Sequence, residues 1–475
     1  MNKHTNVEKL TKLMDEKLAQ LSKNEVSKND MNIFRKLYHQ FLTEPPTINW
    51  NEMNKIKKEI QVDYGDLLGA ACTSEIKEVL SKIAVIKLNG GLGTTMGCKG
   101  PKSLIPVKEG KTFLEIAVLQ NMALNIKYGS KVPIYLLNSF NTDAEIENYK
   151  QIKKNELNFE VFNQSKCPRI YEDTLMPVPE SVDDPNEEAW YPPGHGNVLQ
   201  SLVNTGILDK LLNEGREIVF ISNIDNTGAY VDIKIAKAMV DGKADYIMEV
   251  TDKTPMDTKG GTLIEINNHI MHLEMPQVPK DHIDDFCSVT EFKIFNTNNI
   301  WINLKKVKEI IDNIKMEIIV NKKKLKNGRS VIQLETSIGG AIRNFEHCLA
   351  VHVDRHRFLP VKKTQDLFSI MSNLYILDED YILRLRKDRS IKCAPIIKLS
   401  SEFNSINEFI KRIPNIPDMK DLLRLTIKGD VTFGKNVILK GDVIIIADKN
   451  SSLHITQGSV IENKLCRGSF EISEN

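Results

Sequence analysis

The sequence lacks an excess of charge of either sign. Sixty-four Lys and Arg face sixty-three Asp and Glu, for a formal charge of +1. Such a balance gives no reason to expect nucleic acid or a membrane surface as a partner. Cysteine is sparse: seven residues, at 72, 98, 167, 287, 348, 393 and 466, none in a CxxC. An odd count without that spacing supports neither a disulfide framework nor a zinc site, and a reducing, cytoplasmic setting fits best. Long apolar runs are also missing. The densest, 443–447, is far shorter than the roughly 20 residues that span a bilayer. The first ten residues, MNKHTNVEKL, are polar and hold no apolar core of the signal-peptide kind. There is no Walker loop, because GxxxxGK[ST] does not occur. The dinucleotide fingerprint fails too: Gly91-x-Gly93 is followed at the required position by Met96, and Gly97 comes one residue late.

What is present divides into three textures. The length of 475 residues and the 41% hydrophobic content suggest about three folded units. Residues 1–80 read as an N-terminal helical segment packed on the main domain. Leu10, Leu13, Met14, Leu18 and Leu21 recur at helical spacing, and so do Ile33, Phe34, Leu37, Tyr38 and Phe41 before Pro45-Pro46. From 81 to 365, short apolar runs at 83–88, 134–138, 218–224, 246–250 and 292–295 alternate with helix-like stretches. This predicts an α/β fold with a mixed, largely parallel sheet flanked by helices, in which ligands sit at the carboxyl ends of strands. Lys322, Lys323 and Lys324 lead into Asn327-Gly328, which predicts a solvated turn between two strands. From 366 to 475 a C-terminal unit is expected. Leu425, Val431, Val437 and Val443 are spaced by six, and Ile427, Phe433, Leu439 and Ile445 repeat the step two residues later. A hexad is the signature of a parallel β-helix, although a short antiparallel sheet can imitate four repeats; the open edges of a β-helix make the tail the natural place for self-association.

The chemistry concentrates after the run 83–88. Asn89-Gly90-Gly91-Leu92-Gly93-Thr94-Thr95 follows it directly, and Pro101-Lys102 closes the stretch. A tight turn needs one or two glycines. More of them let the backbone approach a ligand closely and turn amides toward phosphate oxygens. Lys102 adds a full positive charge there. Asp225 ends the run 218–224 at the same sheet edge. Spacing alone does not decide between a metal carboxylate and an Asp-Asn turn.

The stretch from Leu88 to Ser103 resembles the signature of the eukaryotic-type UDP-glucose pyrophosphorylase family. FNQSKCPRI (162–170), WYPPGHGN (190–197), SNIDNTGA (222–229), KGGTL (259–263), FNTNNIWINL (295–304), QLETSIGGAI (333–342) and RFLPVKKTQDL (357–367) resemble further family blocks, in family order. The resemblance runs from about residue 80 to the end. It implies a Rossmann-like sheet of the glycosyltransferase A type with a C-terminal left-handed β-helix. It also implies the reaction of UTP with glucose 1-phosphate to give UDP-glucose and pyrophosphate, with Mg2+ as cofactor. On the nucleotide it implies Leu88, Asn89, Gly90, Gly91, Gln164 and Gly194, with Lys102 and Lys362 on the phosphates as catalytic groups. Backbone contacts are expected from Leu88 and Asn89, and Gln164 carries both a donor and an acceptor for the uracil edge. Asp225 is the implied metal ligand, with Lys102 beside the metal rather than bound to it. Around the sugar phosphate it implies Gly90, Gly91, His195, Asn223, Ile224, Asp225, Lys259 and Asn298. Three rivals remain. A transferase acting on N-acetylhexosamine 1-phosphate is expected to carry Ala where Asn89 stands. An acyltransferase with a hexad tail leaves the glycine loop unexplained. A non-catalytic sugar-nucleotide sensor would not need Lys102, Asp225 and Lys362 together.

Overall fold

The computed structural model describes residues 3–254, 257 and 260–472. Its centre is an eight-stranded sheet. In chain order the strands are β1 (Gln61–Asp63), β2 (Ile83–Leu88), β3 (Ile134–Asn138), β4 (Glu160–Asn163), β5 (Ile218–Asn223), β6 (Tyr246–Asp252), β7 (Ile294–Asn303) and β8 (Cys348–His352). In space they run β1-β8-β6-β7-β5-β2-β3-β4. Only β7 is antiparallel to its two neighbours; every other pairing is parallel. The fold is thus mixed α/β with a parallel-rich sheet. All six residues of β2 and all five of β3 are buried, as strands covered on both faces require. Side chains of β2 alternate between two apolar cores. Ile83 and Val85 join one, and Ala84, Ile86 and Leu88 join the other.

The N-terminal helices Lys3–Gln20 and Glu25–Thr43 bury Met14, Leu18, Met31, Phe34 and Tyr38 against Ile170, Trp190, Tyr191 and Leu334. Helix is not continuous over the first 80 residues, although Thr73–Ser81 is helical again. Met53–Lys55 pairs antiparallel with 264–266, and β1 forms an edge of the central sheet. Pro45-Pro46 ends the second helix, and too few residues follow before β1 for another long one. The lysine run behaves as the sequence suggests. Ile318–Lys324 and Ser330–Thr336 form an antiparallel hairpin, and Gly328 takes a left-handed φ of 85° in its turn.

From Ile396 onward every pairing between described strands is parallel, after one antiparallel hairpin at Tyr375–Leu377 and Leu383–Leu385. Leu425 lies opposite Val443, three six-residue steps on, and Val431 lies opposite Leu453. All eight hexad residues are buried. Their apolar cluster continues through Leu367, Phe368 and Phe403 to Val85 and Phe220 of the sheet. Among the described residues no helix is long and apolar enough to cross a membrane.

Candidate active site

Parallel pairing sets the frame. Leu88 lies opposite Asn223, and the Ile224 N–H donates to the Leu88 carbonyl at 3.2 Å. Asn89 and Asp225 therefore leave neighbouring strands at the same carboxyl edge. The glycine loop folds back through an antiparallel bridge between Leu92 and Pro101. That return delivers Lys102 to the strand mouth, where its ammonium is ion-paired with the Asp225 carboxylate. Both are largely buried, at 15% and 18% side-chain exposure.

Lys362 arrives from the other side. The Val361 N–H donates to the Asp225 carbonyl at 3.2 Å, and the Thr95 hydroxyl of the glycine loop donates to the Lys362 carbonyl at 3.3 Å. Asp366 Oδ2 accepts the N–H groups of Lys362 and Lys363, each at 2.8 Å. Burial pushes the Asp366 carboxyl up. Those amides and the charges of Lys102 and Lys362 pull the other way. Lys102 and Asp225 thus meet, and the backbone at 361–362 reaches them. Asp366, which the charges of both lysines influence, lies behind, a residue that sequence reading passed over.

On the β3–β4 side, Gln164 N–H donates to the Asn138 carbonyl at 3.0 Å. Its Oε1 is buried and has no partner among the described residues. A Cβ on Gly90 would lie 2.0 Å from Gln164 Nε2, so the glycine is what lets this amide reach the loop. A buried acceptor without a donor is costly unless a ligand supplies one. Asn89 behaves differently from expectation. Its N–H donates to Leu137 at 2.8 Å, its carbonyl accepts from Thr142 at 3.1 Å, and its side chain donates to Asn138 at 2.8 Å. The Leu88 carbonyl is engaged by Ile224. Strand pairing and bracing already use these groups. The N–H groups of Gly90 and Gly91 have no acceptor among the described residues, so the free amides begin one residue later.

Gly194 takes a φ of 86°, and a Cβ there would stand 2.5 Å from the Thr336 carbonyl. The close approach seats His195, whose Nδ1 accepts the Ile338 N–H at 3.2 Å. The ring proton then resides on Nε2. Burial pushes the His195 pKa down and nearby His272 adds to this, while Glu274 opposes it. Asn298 sits in a bulge of β7, where 297–299 face only Glu249 of β6. Its φ of 58° re-aims the side chain, and its Nδ2 donates to Asn223 Oδ1 at 2.9 Å. Asn298 Oδ1 is buried without a partner. Its N–H is held by Asn296 Oδ1 at 2.7 Å, and Asn296 in turn faces His272 at 3.0 Å. Among the named site residues three buried acceptors therefore stay unfilled, on Asn89 Oδ1, Gln164 Oε1 and Asn298 Oδ1. Lys259 lies outside the described residues.

Among the described residues no cluster of three His, Cys, Asp or Glu could cage a metal. Asp225 alone suits an ion that keeps water and binds through one carboxylate plus substrate phosphates, as Mg2+ does.

The model of the family described as UTP–glucose-1-phosphate uridylyltransferase matches residues 31–440. The chain belongs to that family. It is 45% identical to UTP–glucose-1-phosphate uridylyltransferase 2 of Dictyostelium discoideum, over 96% of this chain and 92% of that protein. It is also 45% identical to the Saccharomyces cerevisiae uridylyltransferase, over 98% and 94% of the two chains. A crystal structure of a mutant UDP-glucose pyrophosphorylase from Leishmania major in complex with UDP-glucose superposes with a TM-score of 0.86. The identity there is 29%, with 96% of this chain and 99% of that one covered. The Trypanosoma brucei protein gives a TM-score of 0.83 at 32% identity, over 95% and 98%. As a uridylyltransferase-family chain, its missed groups fall into two kinds. Asp366 lies inside the quoted RFLPVKKTQDL run and needed only attention to an acidic residue behind two lysines. The engagement of Asn89 had no sequence signal, because its partners Leu137 and Thr142 belong to another strand and the loop after it.

Proposed function

We propose that the chain joins UTP and glucose 1-phosphate into UDP-glucose, releasing pyrophosphate, and catalyses the reverse. The observation that carries this reading is the meeting of Lys102 and Asp225, reached by the 361–362 backbone, at the mouth of β2 and β5, in a chain of this family. A sugar-phosphate oxygen must attack the α-phosphorus of UTP in line with the departing pyrophosphate. Both reactants are polyanions, so charge neutralisation and positioning supply the catalysis, and no covalent intermediate is needed. Lys102 and Lys362 act as the catalytic cations on the phosphates. The amides of Gly90 and Gly91 face phosphate oxygens. Gln164 and the backbone at Gly194 read the uracil edge. The Nε2–H of His195 donates to the sugar phosphate, and Asn223 and Asn298 hold sugar hydroxyls. Asp225 would hold Mg2+, which would share the phosphate charge, with Lys102 beside it. The Lys102 ammonium pairs with this carboxylate, so it does not stand alone.

The sheet is read as Rossmann-like, of the glycosyltransferase A type, and the tail as a left-handed β-helix. Support comes from its parallel pairings and its buried hexad columns. The chain is taken to divide at about 80 and 365, to work in the cytoplasm and to associate with copies of itself through the tail.

The experiment is turnover of UTP with glucose 1-phosphate, with and without Mg2+, in the wild type, Lys102→Ala and Asp225→Ala. Each variant loses at least about a hundredfold in kcat with folding intact. Wild-type rates in either overturn the assignment. A preference for N-acetylglucosamine 1-phosphate overturns the substrate.

A further inference from the structure

Asp225 and Asn298 hang from β5 and β7, which lie side by side and antiparallel. Each is followed by an asparagine that turns inward. Asn226 is 2% exposed and Asn299 is 0% exposed. Asn226 Nδ2 donates to Asn299 Oδ1 and to the Arg357 carbonyl, both at 3.1 Å. Asn299 Nδ2 donates to Glu249 Oε2 at 3.0 Å and to the same carbonyl at 3.2 Å. Beneath them Glu249 of β6, fully buried, accepts the Arg357 Nε and Nη2 at 2.7 Å each and the Trp301 Nε1 at 2.9 Å. The third side is closed as well. Asn226 Oδ1 accepts the Leu359 N–H at 2.8 Å, three residues before Lys362. A Cβ on Gly228 would lie 2.4 Å from the His356 carbonyl, so the Asp225 turn rests directly on the 356–357 backbone.

A buried carboxylate–guanidinium pair is weak support for stability, because packed apolar groups of the same volume do as well. Stability alone therefore does not account for this one. Its branches end at the neighbours of Asp225, Asn298 and Lys362.

We propose that Glu249 and Arg357 form a positioning clamp, acting through Asn226 and Asn299. The clamp fixes the spacing between the Asp225 turn and the Asn298 bulge, and so holds the phosphate and sugar halves of the substrate in one geometry. It rests on the reading of Asp225 as a phosphate-side group and Asn298 as a sugar-side group.

The test measures UDP-glucose affinity by calorimetry without added metal, beside the KM of each substrate. The variants are Asn298→Ala, Asn299→Ala and the double replacement Glu249→Leu with Arg357→Met. Asn299→Ala weakens UDP-glucose by about tenfold and raises the KM of glucose 1-phosphate, while the KM of UTP stays within about twofold. The double variant, if folded by thermal melting, shows the same loss and a fall in kcat. If it does not fold, Asn299→Ala decides alone. Unchanged affinity in Asn298→Ala removes the sugar-side reading and the clamp with it. A loss in Asn298→Ala with none in Asn299→Ala, nor in a folded double variant, removes the clamp alone.

Discussion

Gly90 is the residue on which the proposed nucleotide side turns. A methyl there meets the tip of Gln164, not backbone, so the side chain can yield while the fold stays. Gly90→Ala should therefore leave the unfolding transition nearly unchanged and raise the KM of UTP by about tenfold, since the displaced amide no longer reads the base. A normal KM with an intact fold would remove Gln164 from the base site. His195 carries a second prediction at this scale. Its neutral ring accepts the Ile338 N–H, and burial holds its pKa below the ordinary value. The sign follows: the unfolded chain takes up the proton first, so this residue's contribution to stability is present above about pH 6.5 and lost as pH falls below it. Carbon-edited NMR of the ten histidines, assigned with His195→Gln, should show the His195 ring titrating below pH 6.5, as the buried His272 ring also does. A midpoint at or above the ordinary value contradicts the assigned tautomer.

Elements differ in how plainly the sequence announces them, and the reasons are physical. β2 and β3 begin and end where the residue pattern places them, because both are aliphatic throughout and buried on both faces. The hexad columns were equally legible, since each position repeats one environment. Leu439 illustrates what such a column holds. It is fully buried, and Leu439→Ala should lower unfolding free energy by about 2–5 kcal/mol while leaving turnover near normal. Denaturant titration checks this, and a loss below about 1 kcal/mol would mean the column is not packed as described. Other elements were silent. β1 is three residues long with two of them exposed, so it carries no apolar signature. The polar run at 296–299 carries no strand signature, yet it is a bulge inside a ten-residue strand, stabilised by Glu249 from the next strand. The site shows the same division. Lys102, Asp225 and Lys362 sit in recognisable runs, whereas Glu249 and Arg357 find each other across 108 residues. Nothing local to either reports the pairing.

At the scale of the whole molecule the tail is both a core and an end. Its inner columns merge with the apolar cluster on one face of the nucleotide sheet, so the two units share a single interior. Leu465–Gly468 pairs in parallel with Ile438–Ala447. Leu465 is 58% exposed and lies opposite Ile444, which is 38% exposed. An exposed apolar pair near the end of such a stack is a candidate contact for a second copy. The proposed catalytic residues lie at the carboxyl ends of β2 and β5, and Leu465 and Ile444 are not among them. Association and turnover should therefore separate. Sedimentation equilibrium at micromolar concentration is expected to show a species larger than the 54.0 kDa monomer, and Leu465→Glu to return it to the monomer with kcat unchanged. A wild type that stays monomeric at these concentrations would refute association through the tail. An oligomer indifferent to Leu465→Glu would place the contact on another surface.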